Sequence, residues 1–170
     1  MGIIINVYSS ESLEKAVVEK ETAELPTSDL AACRVVKAEA EKQYVLGLAY
    51  PAFRPDAAKA QDGFRDFISD EALERAAWSF MDKPNISLFH KSGTDGHGTV
   101  RESYLYRGPD WHISVDGVNY TVRKGDWMLG VQFDDYAWSL VKAGMIRGWS
   151  PEGGAKRATP SVERLKQLRR

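Results

Sequence analysis

Between Val100 and Phe133 the chain carries four strand-like segments whose connections are too short to hold a helix, and this stretch most constrains the fold. Val100 to Tyr106 alternates, Trp111 to Val115 and Asn119 to Val122 flank Asp116-Gly117, and Trp127 to Phe133 is almost wholly apolar. Asp-Gly is a strong hairpin signal, because both central positions of a type I′ turn need positive φ. Parallel neighbours require crossovers of about a dozen residues or more. Short links therefore predict a mostly antiparallel sheet.

The remaining elements surround that sheet. Residues 3 to 8 read as a strand, and residues 9 to 42, polar, rich in Ala and Glu and broken by Pro26, as one short helix and a loop. Gln43 to Tyr50 is a strand ended by Pro51, and a long loop follows to Phe67. Loops of that length are uncommon in compact domains unless they have a function. Ser69 caps a helix that runs to about Lys83 and stops at Pro84; Leu73, Ala76, Ala77, Phe80 and Met81 have the spacing of one buried face. A strand over residues 85 to 90 ends in His90, and the glycine-rich loop Lys91 to Gly98 comes next. Asp134 caps a helix through Ala143 with Ala137, Trp138 and Val141 inward, and Gly144 follows its end. Met145 to Trp149 reads as a strand delivering Ser150 to a tight turn. The fold expected is α+β: six or seven mostly antiparallel strands in a curved sheet or barrel, with two or three helices. Residues 1–42 form an N-terminal extension, 43–157 the main domain and 158–170 a basic tail.

Composition excludes several classes. At 170 residues the chain fits one domain, and its hydrophobic and charged fractions, 43% and 28%, are ordinary for a globular protein. No apolar run approaches the roughly 20 residues that span a bilayer, and the start lacks the basic and apolar regions of a signal peptide. Cys33 is the only cysteine, which excludes an intrachain disulfide and a Cys-based zinc site. A cytosolic-type protein without membrane contact is expected. The net charge of −1 conceals six bases against one acid after residue 154. That tail has no interleaved aromatics for stacking on bases, so it offers nucleic acid little beyond phosphate attraction.

The chemistry-bearing residues are a serine and a histidine. Ser150 stands between the apolar run Met145-Ile-Arg-Gly-Trp and the pair Gly153-Gly154. A nucleophilic serine needs a side chain held out of the packing and free N–H groups nearby to receive an oxyanion. His90 ends another apolar run, and histidine is the usual general base for a serine because its pKa lies near working pH. A zinc site from His90, Asp95 and His97 has no ligand spacing of known specificity. Asp56, Asp62 and Asp66 do not have the spacing of a calcium-binding EF-hand loop. Most of the five tryptophans are expected in the core.

Taken in order, the motifs resemble a known family. They are Val45-Leu-Gly-Leu-Ala-Tyr50, the helix Ser69 to Met81, the strand ending in His90, Val100-Arg-Glu-Ser-Tyr104, Val122-Arg-Lys-Gly-Asp-Trp-Met-Leu-Gly-Val131 and Ala143-Gly-Met-Ile-Arg-Gly-Trp-Ser-Pro-Glu-Gly-Gly-Ala-Lys-Arg157. The chain is similar over residues 43 to 157 to the XkdF-type phage serine proteases, a branch of the prohead (capsid maturation) proteases. The resemblance implies an assemblin-like fold, cleavage of scaffold and capsid proteins inside an assembling prohead in the host cytoplasm, and common self-cleavage. It implies Ser150 as nucleophile and His90 as base, and activity that depends on oligomerisation or local concentration. No cofactor or metal is implied. Gly153 and Gly154 are candidates to let N–H groups approach the oxyanion, Arg157 to support its charge and Trp149 to line a substrate pocket.

Two departures from the family pattern stand out. Pro151 removes the N–H of the residue after the serine, so another group must serve the oxyanion. The third triad member expected after the nucleophile is missing; either Glu102 fills that role or it lies beyond this chain. A second class of function stays open on those grounds: a protease fold kept as an inactive module of scaffold and capsid assembly.

Overall fold

A computed structural model describes residues 4–7, 35–54, 66–89, 91–115 and 118–154. The strands are β1 (Ile4–Val7), β2 (Val35–Glu39), β3 (Tyr44–Tyr50), β4 (Asn85–Leu88), β5 (Gly98–Leu105), β6 (Trp111–Val115), β7 (Val118–Val122), β8 (Trp127–Phe133) and β9 (Trp149–Glu152). The described residues also contain two α-helices, α1 (Asp70–Asp82) and α2 (Asp135–Lys142), and a 3₁₀ turn at Ala40–Lys42. The fold is α+β, as the strand spacing predicts.

Among the described residues the strands form three ladders and no closed barrel. A four-stranded antiparallel sheet has the order β2-β3-β8-β5, a three-stranded sheet the order β4-β1-β9, and β6-β7 is a hairpin. Register shifts at Val35/Lys37, Leu48/Tyr50 and Val100/Glu102 mark irregularities that bend the larger sheet, yet its outer strands do not pair with each other.

The period of two in β8 explains its central place. Leu129, Val131 and Phe133 enter the main core with Val45 and Ala49 of β3, Ile86 and Leu88 of β4, and Trp149 of β9. The opposite face carries Met128, which packs with Leu48 and Val122 in a smaller cluster under the β6-β7 hairpin. A strand apolar on both faces is a strand covered on both faces.

Helix α1 has the start and end the sequence predicts, and departs from it only in the width of its buried face. Ser69 Oγ accepts the Ala72 N–H at 3.3 Å, and Leu73, Ala77 and Phe80 are buried. Ala76 is half-buried, and Met81 is 44% exposed because the buried stripe is narrower than its spacing suggests. Of the tryptophans, Trp127, Trp138 and Trp149 are core, while Trp78 is 63% exposed and Trp111 also faces solvent.

Two expectations change. The segment read as helix and loop up to residue 42 contains β2, which is held by pairing with β3 rather than by its own composition; residues 8–34 lie outside the described residues. The strand expected over 145–149 begins only at Trp149. The N–H groups of Met145 and Ile146 both bond the Leu140 carbonyl, at 2.9 and 3.4 Å, so the end of α2 keeps them from any sheet. Gly144, at φ +69°, supplies the left-handed residue of that helix stop.

One buried charge organises the start of β8. Asp126 is 1% exposed and pairs with the Arg54 guanidinium. Its carboxylate also accepts N–H bonds from Ala52 at 3.0 Å and Arg123 at 2.8 Å. Arg54 donates a further bond to the Thr121 carbonyl at 3.2 Å. Removing one partner of a buried pair strands the other charge. Asp126→Ala is expected to destabilise the fold by about 3 kcal/mol, measured by urea unfolding; a loss within experimental error of zero would show the network to be dispensable.

Candidate active site

The three-stranded sheet holds Ser150. β1 lies in its centre, parallel to β4 and antiparallel to β9. The pairs Ser87↔Asn6 and Asn6↔Ser150 put Ser87 and Ser150 on one row across the sheet. Trp149 points into the core and is 2% exposed. Ser150, the next residue, therefore faces the other way and is half-exposed.

Topology sets what meets Ser150. Leu88, the last residue of β4, and Trp149, the first of β9, both pair with Val7. β4 thus leads towards position 90 at the end of the sheet where β9 begins, with one strand between them. His90 itself lies outside the described residues.

The chain on either side of position 90 is tightly held. Phe89 has φ +57°, a left-handed conformation that is an outlier for a bulky residue and costs of order 1 kcal/mol or more. The Lys91 N–H donates to the Leu88 carbonyl at 3.2 Å, closing a turn. Thr94 Oγ1 accepts the Leu88 N–H at 2.9 Å and lies 2.8 Å from the Leu88 carbonyl and 2.6 Å from that of Lys91. Gly93 and Gly96, at φ +78° and +88°, take conformations that suit glycine. Further on, Asp95 bridges to Ser87 and accepts the Asn85 side-chain amide at 3.1 Å.

The far end of this loop is anchored to α2. The Asp134 N–H donates to the His97 carbonyl at 3.1 Å, and His97 Nδ1 lies 2.7 Å from Asp134 Oδ2. Asp134 Oδ1 caps the helix by accepting the Ala137 N–H at 2.8 Å. Desolvation raises the Asp134 pKa, but the Ala137 N–H, His97 and the Tyr136 N–H together outweigh it and hold the carboxyl below its ordinary 3.8.

The other sequence candidates fall in different places. Gly153 and Gly154 follow β9 directly and are exposed, and Arg157 lies outside the described residues. Pro151 is inside β9, opposite Ile5. Trp149 stacks on Phe133 with ring centroids 5.8 Å apart, so its surface is given to the core. Glu102 pairs with Gly130 on β8, on the face opposite Leu129 and Val131, and its side chain lies near that of Tyr44 over Gly130. Burial first, and then Glu102, raise the Tyr44 hydroxyl pKa above its ordinary 10.0. Ser150 and Glu102 therefore stand on outer faces of two different sheets, with the core between them. A groove of about 530 Å³ lined by Arg54, His112, Asn119, Thr121 and Arg123 lies on the β6-β7 hairpin and shares no residue with β9. Among the described residues, no three His, Cys, Asp or Glu side chains gather to hold a metal, and no helix is long and apolar enough to cross a membrane.

A carboxylate with a depressed pKa stabilises the fold above its unfolded value, and that contribution disappears as pH falls through the folded value. Asp134→Ala is expected to cost about 1 kcal/mol at pH 7. The gap between wild type and variant should shrink as pH drops below about 4, read by urea unfolding at pH 7 and pH 3. An unchanged gap would contradict the capping role.

The profile of a family described as "Putative phage serine protease XkdF" matches residues 32–159. The phage-like element PBSX protein XkdF of Bacillus subtilis (strain 168) is 32% identical over 135 residues, 79% of this chain and 45% of that protein. The uncharacterized protein YqbD of the same strain is 31% identical over 125 residues, 72% of this chain and 35% of that protein. The chain thus spans less than half the length of these relatives. No solved structure matches it.

Proposed function

Because the chain belongs to the XkdF family, whose description names a phage serine protease, we propose that it is a serine endopeptidase of phage head assembly with Ser150 as nucleophile and His90 as general base. The observation that supports this reading is the sheet order β4-β1-β9, in which the strand before position 90 and the strand of Ser150 share a neighbour and an end. In the reaction, His90 takes the Ser150 hydroxyl proton as Oγ attacks a peptide carbonyl. The same proton then passes to the leaving amine, and water releases the acyl group by the reverse sequence.

Pro151 cannot donate to the oxyanion. Backbone N–H groups at Gly153 and Gly154, with Arg157 as a supporting charge, take that role in this reading. The substrates are scaffold and capsid proteins, and this chain itself, inside the assembling prohead in the host cytoplasm. Oligomerisation or local concentration controls activity, and neither a metal nor a cofactor takes part.

A second reading, an inactive module of head assembly, is favoured by Pro151 within β9 and by the position of Glu102 across the core. A fluorophosphonate probe separates the two. Under the protease reading, wild type is labelled, Ser150→Ala is not, and His90→Ala labels about 10³-fold more slowly or worse. Self-cleavage followed by intact mass should show the same order. A folded wild type that is neither labelled nor cleaved supports the assembly module.

A further inference from the structure

The loop that joins β4 to β5 has a hub outside the proposed reacting pair. Thr94 is the only side chain among the described residues that bonds both Leu88 and Lys91, the backbone points that bracket position 90. Its hydroxyl accepts the Leu88 N–H at 2.9 Å, and its single proton can serve the Leu88 carbonyl at 2.8 Å or the Lys91 carbonyl at 2.6 Å. The Thr94 carbonyl reinforces the clamp by also accepting the Leu88 N–H at 3.3 Å.

Such a clamp has something to oppose. Phe89, directly before position 90, is left-handed at φ +57°, a conformation that persists only where the surroundings over-determine it. Glycines at 93 and 96 would otherwise leave the loop many alternatives. The Asp95–Ser87 bridge and the His97–Asp134 contact fix the outgoing part of the loop, and neither reaches the turn at 88–91.

We propose that Thr94 is a positioning residue of the proposed active site: its hydroxyl ties Leu88 to Lys91 and so holds the two backbone points that bracket position 90. This rests on the reading of His90 as the base. Displacing a reacting group by about 1 Å can cost about 100-fold in rate. A threonine that served stability alone would change melting without changing how labelling depends on pH.

The test compares the full chain with Thr94→Val, which keeps the shape and loses the hydroxyl, and Thr94→Ser, which keeps the hydroxyl. Two measurements are made on each: the fluorophosphonate labelling rate of Ser150 against pH, and the pH titration of the His90 imidazole by NMR, assigned by its loss in His90→Ala. Thr94→Val should label about 10- to 100-fold more slowly with a displaced pH profile, and its His90 resonances should move towards those of an unstructured histidine. Thr94→Ser should remain within a few-fold of wild type in both. Equal rates, pH profiles and His90 titrations in Thr94→Val and wild type would overturn the proposal. Should wild type fail to label, the protease reading falls, and the His90 titration still decides the clamp. Should the Thr94→Val chain be too unstable to measure, Thr94→Ser decides: loss of the wild-type His90 titration there, with the hydroxyl kept, would overturn the proposal.

Discussion

The buried carboxylate of Asp126 is the constraint on which the larger sheet depends. It sits where three chain segments converge: the residues after β3, through Ala52 and Arg54; the turn after β7, through Arg123; and the end of β5, whose Tyr106 N–H bonds the Asp126 carbonyl at 2.8 Å. A charge so deep is tolerated only when its oxygens are met by donors. Those donors bring the chain after β3 and the turn after β7 to the start of β8, while the main-chain carbonyl of the same residue holds the end of β5. β8 then carries the core on one face and the hairpin cluster on the other. At its far end, Asp134 caps α2 and holds the loop that follows β4.

The smaller sheet has a different logic. Its central strand, β1, lies outside the segment matched by the family profile, residues 32–159, yet it is hydrogen-bonded to both β4 and β9. Among the described residues, the two strands associated with the proposed base and nucleophile meet only through it. Backbone pairing rather than side-chain contact therefore sets their separation, roughly 10 Å for two strand spacings. The conformational cost at Phe89 falls on the same end of this sheet, where hydrogen bonds from Thr94 offset it.

Much of this architecture was legible in the residues. β8 has the bounds its sequence predicts because a seven-residue segment, apolar but for Gln132 and set between two Asp residues, allows little else. Ser69 and Asp134 were legible as caps because an N-cap is a local interaction between a side chain and an N–H three residues on. β2 was not, since Val35–Glu39 has no strand signature strong enough to compete with its Ala- and Glu-rich neighbours until β3 is beside it. The start of β9 was misplaced for a related reason: Met145 and Ile146 look like strand residues, and the carbonyl at Leu140 captures their N–H groups.

For the site, the sequence by itself determined the identity of the reactive types: a serine before a glycine pair, a histidine ending an apolar run, and a family pattern linking them. Only the tertiary structure decided that Ser150 lies within a strand, that Trp149 is spent on the core and that Glu102 faces away across it. The roles of Thr94 and Asp126 were not legible in the residues, because they lie in bonds to groups far along the chain or around a tight loop. Local chemistry is written in residue types and short spacings. Which face a strand presents, and what it meets there, follows from register, and register is settled by pairing with strands elsewhere in the chain.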